Sequence, residues 1–430
     1  MIQTQIFRRR NFLRYGSNSL SRFFIGVAIS LWLLSLPLGC GRGEGDLDQS
    51  QDETLSLEAD VEAQLRALGY ADFEEVPEEF SSKVGVTLHR PEAASPGLNL
   101  FNTRTTNEAF LIDMSGEVVH RWESPGLGGT WHLVELLPNG DVLIIGNDGY
   151  LARLDWDSNL LWKEELRAHH DVEAMPNGDI YVFGRDLYDV PVGVGSIIPI
   201  VNDSITHISA EREILAESHF YDLFETLVWA PLHKLWILEL FGKGRGGDPW
   251  DIFHMNSLEY VDRDLGDIDS EGTLLVSARN LNLVAMIDLD SGETIWSWGP
   301  GELDGQHNPS VMQNGNILIF DNGLYRKWSR VLELNPSTLE IEWEYRADPP
   351  ESFYSEGGGA AQELPNGNIL ITETTKGRVF EVTREGERVW EFFNPDLSKS
   401  ESGTLERGRI YRMKRIDRSE VSELLGSTSS

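Results

Sequence analysis

The sequence predicts an all-β fold, a six-bladed β-propeller of four-stranded blades in which the C-terminal strand closes the first blade. Two observations predict it. One is an internal repeat marked by Asn-Gly turns; the other is a first unit that lacks one strand, with a lone strand left over near the C-terminus. Because a single four-stranded sheet cannot bury both of its faces, such units stack around a ring.

The repeat is visible as four similar stretches, each starting eight positions before a turn glycine and continuing into an apolar run. The stretches are HLVELLPNGDVLIIGND from His132, HDVEAMPNGDIYVFGRD from His170, HNPSVMQNGNILIFDNG from His307 and GAAQELPNGNILITETT from Gly359. A fifth copy begins at His254 and reaches its turn glycine, Gly272, ten residues later than the others do.

Each copy also carries the signal for four strands. An Asn-Gly turn between two runs rich in Val, Ile and Leu is typical of a β-hairpin. A second hairpin follows, as in VAMIDLDSGETIWSW from Val284 and RVFEVTREGERVWEF from Arg378. The unit therefore has four strands and recurs at roughly 40 residues, a spacing typical of propeller blades.

The first blade is predicted from both ends of the repeat region. LNLFNT from Leu98 and AFLIDMSGEVVHRWE from Ala109 match the second to fourth strands of a unit. RIYRMKRID from Arg409 is a single strand after the last full unit. We expect it to complete blade 1, because closing the ring removes the free sheet edges.

Composition fits one large domain and argues against two classes of partner. Aromatic residues make up 10% of the chain and include 13 Trp, which is ample for a buried core. The net charge of −34 argues against nucleic acid and anionic membrane surfaces as partners.

Residues 1–40 are predicted to be an export signal. Arg9 and Arg10 stand as in a twin-arginine signal, and the apolar run that follows ends at Cys40, the only cysteine. Cys40 occupies the place of a lipoprotein cleavage site, so we expect a periplasmic or cell-envelope protein with a lipid anchor. Because Pro37 is unusual there, cleavage without a lipid, or an uncleaved anchor, is the alternative.

Three further segments are predicted. Residues 41–96 form an acidic tether with one short helix near 57–68, since residues 41–79 hold 13 Asp and Glu against two Arg. Residues 97–417 form the propeller, and residues 418–430 form a short tail.

Histidine recurs at one phase of the repeat, at the start of first strands that line the central channel. These residues are His132, His170, His254 and His307. Because a hairpin folds back on itself, the residues seven positions after each turn glycine are expected at the same end of the channel. They are Asn147, Arg185, Arg279, Asn322 and Thr374. The predicted site is a ring of imidazoles with two guanidiniums, to which Trp131 and Trp250 could add aromatic rings.

Two other interpretations of this ring stay open, a purely structural role and a metal site. A repeat can copy a structural histidine as readily as it copies a turn. Three or four imidazoles can also bind zinc or copper. Against a metal, the arginines would repel a cation and the equivalent positions include no Asp or Glu. The pattern therefore favours an anionic ligand and no metal.

Several of these motifs together resemble one family. DIFHMNSLEYV, LLVSARN, GQHNPSVMQNGNILIFDNG and HHDVEAMPNG are similar to motifs of the bacterial arylsulfate sulfotransferases, and the resemblance covers roughly residues 97–417. Members of that family are six-bladed propeller enzymes that use no nucleotide sulfate donor. The resemblance implies ping-pong transfer of a sulfuryl group from an aryl sulfate to a phenol through a sulfohistidine, without a cofactor.

The resemblance also implies roles for individual residues. His307 would be the nucleophile, since a neutral imidazole beside an arginine stays unprotonated. His254, Arg279 and His170 would hold the sulfuryl oxygens and move protons. Substrate binding is expected of Asn256, which lies two residues beyond His254 on the same strand face, and of the rest of the ring. These residues are His132, Arg185, Asn322, Thr374 and Trp250.

The alternative function is a non-catalytic, surface-anchored propeller that serves as a binding or scaffold module, because the fold alone does not decide function. An enzyme needs His307 to be reactive, with His254 and Arg279 within reach of one reacting atom. A scaffold needs only the blades.

Overall fold

Short strands, nearly all of them antiparallel, are the main elements of the described part of the chain. The structure, a computed structural model, describes residues 72–147, 149–191, 197–228, 250–400 and 402–427. The predicted export signal, Cys40 and the helix predicted near 57–68 lie outside these residues. Among the helices within them, none has the length and apolar character needed to cross a membrane.

Six sheets form the blades, and each runs from a first strand on the channel to an outer strand. Blade 1 consists of β29 (Ile410–Ile416), β3 (Leu98–Thr103), β4 (Glu108–Ile112) and β5 (Val118–Glu123). Blade 2 consists of β6 (Trp131–Leu136), β7 (Val142–Gly146), β8 (Tyr150–Leu154) and β9 (Leu160–Glu165). Blade 3 consists of β10 (Val172–Ala174), β11 (Ile180–Pro191), β12 (Ile197–Ile208) and β13 (Ile214–His219), with β14 (Trp250–Asp251) parallel to β12.

The remaining three blades follow in chain order. Blade 4 consists of β15 (Met255–Tyr260), β16 (Leu274–Ala278), β17 (Leu283–Asp288) and β18 (Glu293–Trp298). Blade 5 consists of β19 (His307–Val311), β20 (Ile317–Asp321), β21 (Arg330–Leu334) and β22 (Ile341–Tyr345). Blade 6 consists of β23 (Ala360–Glu363), β24 (Ile369–Glu373), β25 (Arg378–Val382) and β26 (Arg388–Phe393), with β2 (Gly85–His89) added outside β26.

A few elements lie outside the blades. β1 (Phe73–Glu75), β27 (Leu397–Lys399) and β28 (Leu405–Gly408) form a small separate sheet. Helix α1 (Phe220–Val228) follows β13, and helix α2 (Ser422–Ser427) lies C-terminal to β29. Six short 3-10 helices are described. They are Glu78–Phe80, Pro125–Leu127, Arg279–Leu281, Pro350–Ser352, Thr374–Lys376 and Arg418–Val421.

The Asn-Gly turns form hairpins, as predicted. In blade 2, the Gly140 amide donates to the Leu137 carbonyl at 2.9 Å, and the Leu137 amide donates to the Asp141 carbonyl at 2.8 Å. Gly140 has a φ of 86°, in the left-handed region that glycine tolerates without a steric penalty. This is the turn plus glycine bulge that joins three-residue hairpins, and it fixes the register of the strands on either side.

Burial explains why the middle strands read as continuous apolar runs. Every residue of β7, β16, β20 and β24 is buried, because both faces of these strands contact a neighbouring blade. The outer strand β9 alternates between half-buried and exposed residues. Among the described residues, six apolar clusters form, one between each pair of adjacent blades. The prediction of a six-bladed propeller is confirmed.

The C-terminal strand closes the ring, as predicted. β29 pairs antiparallel with β3, with Ile416 opposite Leu98. Arg415 on β29 reaches across to blade 6, where its guanidinium forms a buried ion pair with Glu381. The same guanidinium donates to Asn99 Oδ1 of blade 1 at 2.8 Å. One side chain therefore joins the first and last blades.

The structure corrects the extent of the predicted tether. Within residues 41–96, β1 pairs with β28 and β2 pairs with β26, so the part of this segment from residue 73 onward belongs to the folded body. One of the acidic side chains that suggested a solvated tether has a buried partner there. Glu74 forms an ion pair with the buried Arg409. β2 also covers what would otherwise be the outer edge of blade 6.

We expect Arg415→Ala to lower the free energy of unfolding by about 3–5 kcal/mol, because it leaves the Glu381 carboxylate buried without its cation. The urea midpoint of unfolding measures this change. Arg121→Ala is the matched control, since Arg121 on β5 is about half exposed and its ion pairs contribute little. Equal midpoints for the two variants would show that the ion pair does not hold the ring closed.

Candidate active site

Three histidines from consecutive blades are in contact at one end of the channel. The ring centroids of His132 and His170 lie 5.0 Å apart, and those of His170 and His254 lie 4.8 Å apart. Tyr411, from β29, packs on His132 at 4.2 Å and continues the row into blade 1. The histidine ring expected from the repeat therefore brings these three residues together, and His170 is in the middle.

The backbone is distorted where it enters the first strands at or next to these histidines. His170 and His254 have φ values of 55° and 50°, in the left-handed region that costs a non-glycine residue about 1–2 kcal/mol. The ladders of β15 and β19 are also irregular near their starts. Bulges and strained residues of this kind re-aim side chains and cluster at functional sites.

His307 is held in one tautomer. Its Nδ1 lies 2.8 Å from Asn322 Oδ1 and 3.2 Å from the Gly305 carbonyl. The Asn322 amide nitrogen donates to the carbonyls of Ser355 and Gly358, so the amide oxygen must face His307. With two acceptors beside it, Nδ1 carries the proton. The lone pair of the neutral ring therefore lies on Nε2.

The same imidazole is kept neutral. Burial is the main cause, and the positive charge of Arg279 adds to it; together they lower the pKa of His307 to about 3. The hydrogen bond to Asn322 opposes this only in part. At neutral pH, Nε2 of His307 is unprotonated and can act as a nucleophile.

Arg279 stands directly beside the His254 segment. It follows β16, its backbone amide donates to the His254 carbonyl at 3.2 Å, and only 4% of the residue is exposed. Its Nη1 donates to Asn280 Oδ1 at 3.0 Å, and the Asn280 amide donates to the Asp251 carbonyl at 2.7 Å. The guanidinium is thus a fixed cation whose charge acts on His307.

His254 forms a dyad with a carboxylate. Its Nδ1 bonds Asp251 Oδ2, and its backbone amide donates to Asp251 Oδ1 at 2.9 Å. Burial alone would raise the pKa of Asp251, but the charges of His254 and its neighbours more than offset this and hold that pKa below its usual value. An ionised Asp251 fixes Nδ1 of His254 as a donor. Nε2 is then the nitrogen left to exchange a proton with a ligand.

His170 is oriented by a second histidine. His169 Nε2 faces two oxygens, the Gly184 carbonyl at 3.1 Å and Asp203 Oδ1 at 3.2 Å, so this nitrogen donates. A neutral His169 then accepts at Nδ1 from His170 Nδ1, 2.8 Å away, which leaves the lone pair of His170 on Nε2. Burial, reinforced by the charge of His254, lowers the pKa of His170 well below its usual range.

The predicted substrate-binding residues divide into three groups. Asn322 orients His307, and the Thr374 hydroxyl donates to the Tyr411 carbonyl at 3.0 Å, so both brace the frame. Asn256 donates to the Gln306 carbonyl at 2.9 Å, while its Oδ1 is buried without a hydrogen-bond partner in the described chain. Arg185 lines a cavity with His132.

Two tryptophans differ from the expectation. Trp131 is fully buried in the apolar cluster between blades 1 and 2, so it does not add an aromatic ring to the site. Its large ring fills the gap between the blades instead. The side chain of Trp250 lies outside what the structure describes, and its backbone forms part of β14.

Sequence reasoning missed four residues of the site. They are Asp251, His169, Arg104 and Tyr411. Asp251 stands three residues before His254, and His169 stands directly before His170. The signal for both was their closeness in sequence to a predicted site histidine. Arg104 follows β3, as Arg279 follows β16. Its blade has no Asn-Gly turn between its first two strands, so no turn glycine marked its phase.

In the part of the chain that the structure describes, no group of three or more His, Cys, Asp or Glu residues is arranged to hold a metal ion.

Solved structures similar to this chain include a protein of unknown function from Bacteroides caccae, with 15% identity over 74% of this chain and 98% of the other and a TM-score of 0.46. A streptogramin B lyase has 14% identity over 80% and 97% and a TM-score of 0.44. Virginiamycin B lyase from Staphylococcus aureus has 11% identity over 79% and 98% and a TM-score of 0.40. No curated protein matches the sequence.

A comparison with protein families bears directly on the site. Residues 133–395 match the family described as arylsulfotransferase (ASST), a span that includes His170, His254, Arg279 and His307. This match covers more than half of the chain. The chain belongs to the arylsulfotransferase (ASST) family.

Proposed function

We propose that this arylsulfotransferase moves a sulfuryl group from an aryl sulfate to a phenol in two steps, through a sulfohistidine formed on Nε2 of His307. The observation that carries the proposal is the state of that imidazole. Its proton is held on Nδ1 by Asn322 and Gly305, and its pKa of about 3 leaves Nε2 unprotonated.

In the first step, Nε2 of His307 attacks sulfur, an N–S bond forms and the S–O bond to the aryl group breaks. The imidazole ring becomes positive as it bonds to sulfur. The two oxygens on Nδ1–H strengthen their hydrogen bonds at that moment and stabilise the charge, because charge-assisted hydrogen bonds are the stronger ones. The departing phenolate takes a proton from Nε2 of His254.

Arg279 would stabilise the sulfuryl group in the transition state of its transfer. Sulfuryl transfer resembles phosphoryl transfer, with a loose transition state and negative charge on the peripheral oxygens, so catalysis depends on positioning and on fixed cationic donors. Arg279 supports this role because its guanidinium is buried, tied to Asn280 and close enough to act on His307.

In the second step, the acceptor phenol gives its proton to His254, its oxygen attacks sulfur and the N–S bond to His307 breaks. His254 is suited to move a proton both ways because Asp251 fixes its Nδ1 as a donor and leaves Nε2 to exchange the proton. His170 packs against His254 and is itself oriented by His169, so we assign it to positioning His254, and its Nε2 lone pair can accept a proton.

The test is incubation of the purified protein with 4-nitrophenyl sulfate, with and without phenol, while mass spectrometry follows a sulfuryl adduct on His307. We expect phenol-dependent turnover, an adduct on His307 in wild type, and neither in His307→Ala. His207→Ala is the matched control, since His207 bonds Asp179 at the turn of blade 3. Turnover with water alone would indicate a hydrolase. The absence of any reaction would favour the non-catalytic binding module.

We expect Arg279→Ala to lower kcat/KM for 4-nitrophenyl sulfate by about 10² or more, the usual loss when a donor to a transition-state oxyanion is removed. Arg263→Ala is the control on the same blade, because Arg263 is exposed and pairs with Asp262. Steady-state kinetics of both variants measure the effect. Equal activities of the two variants would show that Arg279 does not stabilise the transition state.

We expect the rate of adduct formation to stay constant from about pH 8 to about pH 5. The pKa of His307 is lowered from its ordinary value, so the neutral form persists as pH falls and is lost only near pH 3. A histidine with an ordinary pKa of about 6.5 would slow about 30-fold at pH 5. The pre-steady-state burst of 4-nitrophenol, whose departure needs little acid assistance, separates the two cases.

A further inference from the structure

A small cavity opens beside the row of histidines. Its volume is about 230 Å³, and its lining includes His132, His169 and His170 together with Arg104 and Arg185. Ligand pockets for whole drug-sized molecules measure about 300–1,000 Å³. This cavity is therefore suited to one end of a ligand, and His170 connects it with His254 and the reaction centre.

The charge of the lining is positive. Arg104 and Arg185 bring two guanidiniums, and Asp72 is the single carboxylate among the lining residues. Arg104 is 4% exposed, and its Nε lies 3.5 Å from Asp72 Oδ1. Both arginines act on His132, since after burial their charges help to lower its pKa well below the usual range. His132 therefore adds a neutral imidazole and no further charge.

His132 also offers an unused polar atom. Its Nε2 is buried and has no hydrogen-bond partner in the described part of the chain. A buried polar atom without a partner costs about 1–3 kcal/mol and is rare unless a ligand or water satisfies it. Beside the cavity, the apolar side chains of Ile145 and Ala168 supply a surface on which the edge of an aromatic ring can lie.

We infer that this cavity is a second anion subsite, which takes an acidic substituent of the aryl substrate while the reacting oxygen lies among His254, Arg279 and His307. The inference rests on the proposed function and specifies its substrates as aryl sulfates and phenols that carry a carboxylate or a second sulfate. Arg185 and Arg104 would bind that group with paired N–H donors, and His132 Nε2 would complete the set.

The test compares acceptors that differ only in charge. 4-Hydroxyphenylacetate and 3-(4-hydroxyphenyl)propionate are each paired with the matching amide, because methylene groups insulate the phenol from the changed substituent. For wild type we expect kcat/KM of the better acid to exceed that of its amide by about tenfold or more. Arg185→Gln should bring that ratio close to one. Arg212→Gln, at an exposed arginine of the same blade that pairs with Glu164, should preserve it.

Two substituted 4-nitrophenyl sulfate donors are compared in the same way, one with an added carboxylate and one with a second sulfate. The donor with the higher kcat/KM shows which acidic group the subsite prefers. Because Arg104 is buried, Arg104→Lys is the second variant, and it keeps the charge while losing the planar fork. We expect it to lower the acid-to-amide ratio in part. Circular dichroism melting of each variant establishes that it is folded.

Isothermal titration with the same acids and amides separates this inference from the proposed function. Transfer without preference for the acids, and unaffected by Arg185→Gln, overturns the subsite and leaves the sulfotransferase intact. Selective binding of the acids that Arg185→Gln abolishes, with no transfer to any acceptor, supports the subsite and overturns the proposed function. If the acids show neither selective binding nor faster transfer than the amides, the subsite is overturned, whether or not the protein transfers sulfuryl groups.

Discussion

The antiparallel contact between β29 and β3 is the constraint on which the rest of the molecule depends. Without it, blade 1 lacks its channel strand and the apolar cluster between blades 1 and 6 loses Ile410 and Met413. The same strand also braces the site. The Tyr411 hydroxyl donates to the Asn256 carbonyl at 3.0 Å, and Arg412 binds Asp171 of blade 3 and Glu135 of blade 2. The strand that closes the ring therefore also contacts residues next to the histidines.

Burial has opposite consequences for the histidines and for the arginines of the channel. Imidazoles give up their protons when they are buried among cations, as the lowered pKa values of His132, His170 and His307 indicate. Guanidiniums keep their charge under the same conditions. The channel therefore holds neutral imidazoles beside permanent cations, a combination suited to an oxyacid anion.

The sequence predicted the parts of this molecule that repeat. Turn glycines such as Gly140 and Gly315 marked the phase of each blade, and the phase placed His170, His254 and His307 at one end of the channel. It could not place Arg104, because blade 1 takes its first strand from the far end of the chain. It also gave no sign of β1 and β2, which are short additions to finished sheets and follow no repeat. The roles of Asn322 and Thr374 depend on the direction of their side chains, which residue spacing does not determine. Both residues follow second strands as predicted, but their side chains bond His307 and the Tyr411 carbonyl and not a ligand.

The position of β29 in the chain has a consequence for biosynthesis. Blades 2 to 6 leave the ribosome before residues 410–416, so each nascent chain passes through a stage in which five blades have all their strands and blade 1 lacks its channel strand. During that interval, the apolar surface that Ile410 and Met413 later cover stays exposed, and exposed apolar surface favours aggregation. A premature stop codon after blade 6 ends at Phe393 and before β29 begins at Ile410 leaves the product in this state permanently, with five blades and no strand to close the ring.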